Sequence, residues 1–241
     1  MSIPAGEIEA PASVRRLAAG AALTPVWRNA LGGVTFRTDD GRYIKYGPRN
    51  AETTMSGEAA RLVWAGGYTS VPEVLGDGGD EREEWLVTRA IEGRSAVDPH
   101  WLADPATAVA AVGAGLRAFH DALPVTDCPF EWTVSTRIGA AERRGIHLPA
   151  TLGSPPPIDR LVVCHGDACC PNTLLSDDGR WRAHVDLGAL GVGDRWADIA
   201  VAAMSTGWNY GPGWEGALLD AYGIAPDAER MSFYRDLWNA T

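Results

Sequence analysis

Between Thr24 and Ala90 the chain reverses every few residues, and this rhythm constrains its fold more than any other feature. The runs "TPVWRN", "VTFRT", "YIKYG", "PEVLGD" and "EWLVTRA" are rich in β-branched and aromatic residues. They are separated by "ALGG", "DDGR" and "GDGGDERE", whose Gly and Asp are turn formers. Between the third and fourth runs lies "SGEAARLVWAGG", where Ala59, Leu62 and Val63 recur at helical spacing. Ser56 stands as its expected N-cap and Gly66-Gly67 as its stop. Five short strands and one helix predict a small sheet. After "IEGRSAVDP" the period changes, and residues 105–122, 133–143, 195–206, 214–222 and 226–239 are spaced as helices. The expected fold is α+β, with a small β-rich lobe at 1–90, a larger mostly helical lobe at 91–241 and a boundary near 91–98. "GSPPPID" at 153–159 reads as a stiff connector, and no internal repeat is present.

One stretch interrupts the helices, "RLVVCHGDACCPNTLLSDDGRWRAHVDLG" at 160–188. An apolar strand ends in His165-Gly166-Asp167, and Asn172 follows five residues after Asp167. A hairpin turning at Asp177-Asp178-Gly179 then leads to a second strand ending in Asp186-Leu187-Gly188. Asp167 can accept or orient the proton of a hydroxyl. Asn172 and Asp186 offer the hard oxygen ligands that Mg²⁺ prefers, and a hairpin can bring them together. With a nucleoside triphosphate, this is the equipment of phosphoryl transfer: an oriented hydroxyl, metal ions on the phosphates and a cation beside them. The cation has a candidate, because 20 of the 21 basic residues are Arg and Lys45, in "GRYIKYG", is the one Lys. Its ammonium is a compact point charge, suited to bridging phosphate oxygens. Glu58 on the predicted helix can pair with it. The loop "NALGG" at 29–33 can cover phosphates with backbone amides, Gly32 and Gly33 among them.

Charge narrows the ligand. The net charge is −10, of which −8 falls in residues 91–241. Nucleic acid needs a basic footprint, so it is excluded as a partner; a cationic ligand suits the acidic half. Four cysteines without paired C-x-x-C spacing predict neither a disulfide framework nor a structural metal, which fits a reducing cytoplasm. With no apolar run of about 18 residues and no leader pattern, a soluble, unsecreted protein without membrane contact is expected.

The string "HGDACCPN", "VDLG" with its Asp186 fourteen residues beyond Asn172, and "GDRWADIA" close behind resemble the aminoglycoside phosphotransferase family, which shares its fold with protein kinases. "CPFEW", "VPEVLGDGGDEREEWLVTRAIEG" and "YGIAPDAERMSFYRDLW" resemble the branch that phosphorylates 3'-hydroxyls of kanamycin-type antibiotics, and the likeness runs from about Pro25 to Trp238. The resemblance implies a two-lobed protein-kinase-like fold using ATP, with GTP left open, and Mg²⁺. It implies Asp167 as catalytic base, Asn172 and Asp186 as magnesium ligands, and Lys45 on the α/β-phosphates with Glu58 as its partner. It also implies that the Thr88–Ala90 backbone contacts adenine and that Asp198 braces the catalytic loop. His165 is expected to orient that loop, His120 to be a packed helix histidine, and Cys164, Cys169 and Cys170 to be small fillers.

Three departures bear on the acceptor. Ala189 stands where relatives often carry Arg, the segment between "CPFEW" and "HGD" is short, and the last residues are "LWNAT" rather than an acidic residue followed by aromatics. In their place "STGWNYGPGWEG" offers Trp208, Tyr210, Trp214 and Glu215, with Asp220 nearby, as the wall of an acceptor pocket. The expectation is an aminoglycoside 3'-phosphotransferase conferring resistance, a monomer or weak dimer. The alternatives are a streptomycin 3''-phosphotransferase, a kinase for another hydroxylated metabolite, or a nucleotide-binding protein without transfer activity.

Overall fold

The structure, a computed structural model, describes residues 8–29, 31–50 and 53–241; Ala30 of the 29–33 loop lies outside the described residues, as do residues 1–7. The chain divides into two compact units, Met1–Gly66 with Pro72–Ile91, and Gly67–Val71 with Glu92–Thr241. Gly67–Val71, expected in the first lobe, groups with the second; it is a turn segment that joins no strand.

In the first unit, helix α1 (Ala12–Ala18) precedes strands β1 (Leu23–Arg28), β2 (Val34–Thr38) and β3 (Arg42–Pro48). Helix α2 (Met55–Ala65) and strands β4 (Val74–Gly79) and β5 (Glu83–Arg89) follow. The strands form one antiparallel sheet in the order β1-β2-β3-β5-β4. Alternation along central β3 sorts its side chains. Ile44 and Tyr46 pack with Phe36, Val87 and, from α1, Val14 and Ala18. Lys45, between them, therefore points to the opposite face, where it meets Glu58 of α2. Helix α1 carried no clear sequence signal and is held by a tertiary contact. Arg42 donates to the Leu17 and Ala18 carbonyls at 3.0 and 2.9 Å, satisfying the end of the helix, while Asp40 grips its Nε. The α2 expectation needs two corrections. Thr54, in extended backbone, is the N-cap and accepts from the Gly57 amide, so Ser56 lies inside the first turn. Val63 is 68% exposed and Ala65 is the buried residue, because the apolar face is set by α2's angle on the sheet.

The second unit begins with β6 (Arg94–Ser95), α3 (Pro99–Leu102), α4 (Pro105–Ala122) and α5 (Val134–Arg143). It continues with β7 (Leu161–Cys164), β8 (Thr173–Leu175), β9 (Trp181–His184) and β10 (Gly191–Asp194), and ends with α6 (Trp196–Tyr210), α7 (Glu215–Tyr222) and α8 (Ala228–Ala240). Val109, Val112 and Leu116 of α4 pack with Ile199, Ala200 and Ala203 of α6 and with Leu218 and Leu237 from the last two helices. Each of the Val, Leu and Ile side chains contributes roughly 1.5–3 kcal/mol by burial. β7 pairs antiparallel with β10, and β6-β8-β9 form a second small sheet. The "CPFEW" segment runs along β10, with Trp132 donating to Val192 and Val192 to Phe130. Among the described residues no helix is long and apolar enough to cross a membrane.

Candidate active site

β7 is apolar, and its Val162, Val163 and Cys164 are buried. At its end the chain turns through Gly166 at φ +86, the left-handed region that glycine adopts without steric cost. A Cβ here would collide with the Ala189 carbonyl, so the His165-Gly166-Asp167 turn lies directly on the turn that follows Asp186. Asp186 itself has φ +66, a conformation that costs an L-residue roughly 1–2 kcal/mol and must be held by its surroundings.

The facing His165-Gly166-Asp167 turn is held by α6. Asp198, fully buried, accepts from the His165 amide at 2.5 Å and the Gly166 amide at 2.9 Å. His120 Nε2 lies 2.9 Å from the same carboxylate, and His120 Nδ1 lies 2.8 Å from the Tyr222 hydroxyl. Burial pushes the Asp198 carboxyl up, but the hydrogen bond and charge of His120 outweigh it and hold the group below its ordinary value. His165 Nδ1 accepts from the Asp167 amide at 3.2 Å, and its Nε2 faces the Val185 carbonyl at 3.0 Å. Through these two nitrogens the ring ties the Asp167 loop to Val185, the residue before Asp186. That is the orienting role expected of it.

Asp167 is the open end of this network. Asn172 Nδ2 donates to its backbone carbonyl at 3.0 Å and to its Oδ2 at 3.1 Å. Oδ1 is buried and has no hydrogen-bond partner. Burial, reinforced by the Asp186 carboxylate, raises the Asp167 carboxyl above its ordinary value. With its nitrogen engaged, Asn172 has its amide oxygen left to coordinate a cation. Cys169 is more than the filler expected: its thiol lies against the Asp167 carboxylate, and burial with that charge pushes it far up, so it stays protonated.

In the first unit Lys45 Nζ lies 2.6 Å from Glu58 Oε1, as the sequence suggested. The loop after β1 is less open than expected. Asn29 Oδ1 accepts from the Leu31 amide at 3.0 Å and the Gly33 amide at 2.7 Å, while Gly32 donates to the Asn29 carbonyl. A Cβ at Gly33 would lie 2.7 Å from the Asn29 side chain, which would have to move and give up its hold on the loop amides. The amides offered to phosphate are therefore already held by Asn29. Thr88 lies inside β5, and the Ala90 amide donates to Gly41, so Ala90 has its carbonyl left to offer a base.

The four expected acceptor residues separate. Trp208 is 59% exposed. Tyr210 packs on the core and donates to the Ala96 carbonyl, Trp214 packs there too and donates to Tyr210, and Glu215 pairs with Arg235. Sequence reading missed the His120–Tyr222 support and Asn29. An Asn before a glycine-rich turn was a usable signal for Asn29, but nothing local to His120 points to Asp198.

The pattern of the phosphotransferase enzyme family matches residues 136–234. An aminoglycoside 3'-phosphotransferase of Streptomyces fradiae is 36% identical over 226 residues, spanning 80% of this chain and 83% of that protein. The crystal structure of a type VIII aminoglycoside-3'-phosphotransferase superposes with a TM-score of 0.76 at 30% identity, covering 95% and 97% of the two chains. APH(3'')-Id from Streptomyces rimosus ATCC10970, in complex with ADP and streptomycin, superposes at 0.71 with 27% identity over 93% and 94%. The motifs, the brace beneath them and these likenesses agree that the chain belongs to the aminoglycoside phosphotransferase family.

Proposed function

We propose that the chain transfers the γ-phosphate of ATP to the 3'-hydroxyl of an aminoglycoside in the cytoplasm and so confers resistance. The observation that carries this reading is the Asp167 carboxylate, fixed through Oδ2 by Asn172 and left with a buried, unpartnered Oδ1. A hydroxyl brought to Oδ1 would satisfy it, and the carboxylate would take that hydroxyl's proton as the phosphoryl group arrives. The raised carboxyl suits the exchange, since a base needs some affinity for the proton it accepts.

The site also fits magnesium. Among the described residues no group of three or more His, Cys, Asp or Glu side chains is placed to hold a metal ion. Magnesium does not need one, because it commonly takes one or two protein oxygens and completes its shell with phosphates and water. Asn172 and Asp186 would hold it, and it would supply charge to bridge and neutralise the phosphates. Lys45, kept in place by Glu58, would carry the α/β-phosphates. The exposed ring of Trp208, in a unit of net negative charge, would receive a cationic sugar.

A second reading, transfer to the 3''-hydroxyl of streptomycin, has the superposition on the streptomycin complex in its favour. Incubation of the purified chain with MgATP and, in turn, kanamycin, neomycin and streptomycin tests both, with product positions mapped by NMR. A 3'-phosphorylated kanamycin is expected; a 3''-phosphorylated streptomycin selects the second reading, and no phosphorylated aminoglycoside refutes both.

A further inference from the structure

Helix α6 carries a second polar anchor for the catalytic loop, seven residues after Asp198. Ser205 is fully buried, and its Oγ accepts from the Cys170 amide at 2.8 Å. Seven residues are two helical turns, so the two side chains lie on one face about 10.5 Å apart along the axis. Asp198 holds the amides of His165 and Gly166, Ser205 holds the amide of Cys170, and Asp167 lies on the span between. The Ser205 hydroxyl is itself aimed. Asn209, one turn on, donates to Ser205 Oγ at 3.1 Å and to its carbonyl at 2.8 Å. With two donors on the oxygen, the hydroxyl proton is directed elsewhere, and the Cys169 thiol lies between it and the Asp167 carboxylate.

We propose that Ser205 is a positioning residue for phosphoryl transfer: together with Asp198 it stretches the 165–170 loop across α6 and sets where the Asp167 carboxylate stands. The inference rests on the reading of Asp167 as the base. It assigns Ser205 a part in the chemical step and none in nucleotide binding, because the contacts it makes beyond α6 run to the loop that bears Asp167.

The test is Ser205→Ala in the full chain, assayed with MgATP and whichever of kanamycin and streptomycin the wild type phosphorylates faster. kcat should fall roughly 10- to 100-fold, as small misplacements of reacting groups do, while KM for ATP stays within about twofold. NMR hydrogen exchange should accelerate about tenfold or more at the Cys170 amide and stay unchanged at Gly166, which Asp198 holds. Ser205→Thr keeps the hydroxyl and should restore both readouts. Asn209→Ala, which leaves Ser205 in place, should show the same signature more weakly and serves if Ser205→Ala does not fold. An unchanged kcat in Ser205→Ala, or Gly166 and Cys170 loosening together, would overturn the proposal. Asp167→Asn in parallel keeps the two readings apart: full turnover there removes the base assignment, while exchange at Cys170 judges the clamp without reference to activity.

Discussion

The charged groups of the two units are held in contrasting ways. Lys45 and Glu58 lie on a strand and a helix, and the pair is formed within one unit by ordinary alternation and helix placement. Asp167 and Asp186 lie on turns, one reached through a left-handed glycine and the other left-handed itself, and Asp167 keeps its Oδ1 buried without a hydrogen-bond partner. Regular structure thus delivers a cation that already has a partner, whereas the turn at Asp167 delivers a carboxylate held by Asn172 through Oδ2 alone. The cost of the second arrangement is offset by Asp198, whose buried charge is spent on backbone amides of the loop. Lys45 is held by a partner, whereas Asp167, the proposed base, lies on a turn whose neighbouring amides are held from behind and keeps Oδ1 without a partner.

Mutations can break this contrast. Asp167→Asn should have the largest effect, a fall in kcat of roughly 10²–10⁴-fold with nucleotide affinity kept, since the amide cannot take the proton. Steady-state turnover beside calorimetric titration with ATP checks it, and retained turnover would remove the assignment. Asp198→Ala should destabilise the chain by about 3–5 kcal/mol, because it strips the partner from His120 and from two buried amides. Urea unfolding reads this directly, and a loss under about 1 kcal/mol would mean the loop holds itself. Lys45→Arg should behave differently: stability nearly unchanged, kcat/KM for ATP down about tenfold or more, because a planar guanidinium replaces a point charge beside Glu58. Equal catalysis in that variant would make the one lysine incidental.

Smaller effects sharpen the comparison. Trp208→Ala should raise acceptor KM by a few-fold, in line with a cation–π contribution of roughly 0.5–2 kcal/mol, and leave the melting temperature alone because the ring is exposed. Trp214→Ala, in the core, should do the reverse; a fall in melting temperature for both would make both rings structural. The smallest effect expected is at Asp40, whose carboxyl Arg42 lowers from 3.8 to about 2. A depressed acid contributes stability above its unfolded value that disappears as pH falls through its folded one. Asp40→Asn should therefore melt slightly lower than wild type at pH 5, with the gap closing toward pH 2; a gap independent of pH would assign the difference to packing.

Much of this was legible in the chain because local rules govern it. The five strands of the first unit and the helices at α4 to α8 lie within a few residues of where periodicity and turn chemistry put them. The motif residues were legible because phosphoryl transfer asks for few side-chain types. Less local features were hidden. Thr54 rather than Ser56 caps α2, since capping depends on which residue adopts the extended conformation. Cys169 reads as a small apolar residue until its neighbour Asp167 is known, and Asn29 reads as a turn former until its oxygen is seen to take two loop amides.

By itself, then, the sequence determined the α+β class and the order of elements, which follow from periods and spacings a few residues long, and it singled out Lys45, Glu58, Asp167, Asn172 and Asp186 as candidates for phosphoryl transfer. Tertiary structure decided which side chains support those groups. Asp198 meets His165, His120 meets Asp198, Ser205 meets Cys170 and Arg42 meets the end of α1 only after distant segments have packed. The physical reason is range: periodicity is set by neighbours along the chain, whereas a buried hydrogen bond is set by whichever donor and acceptor the packed core brings within about 3 Å.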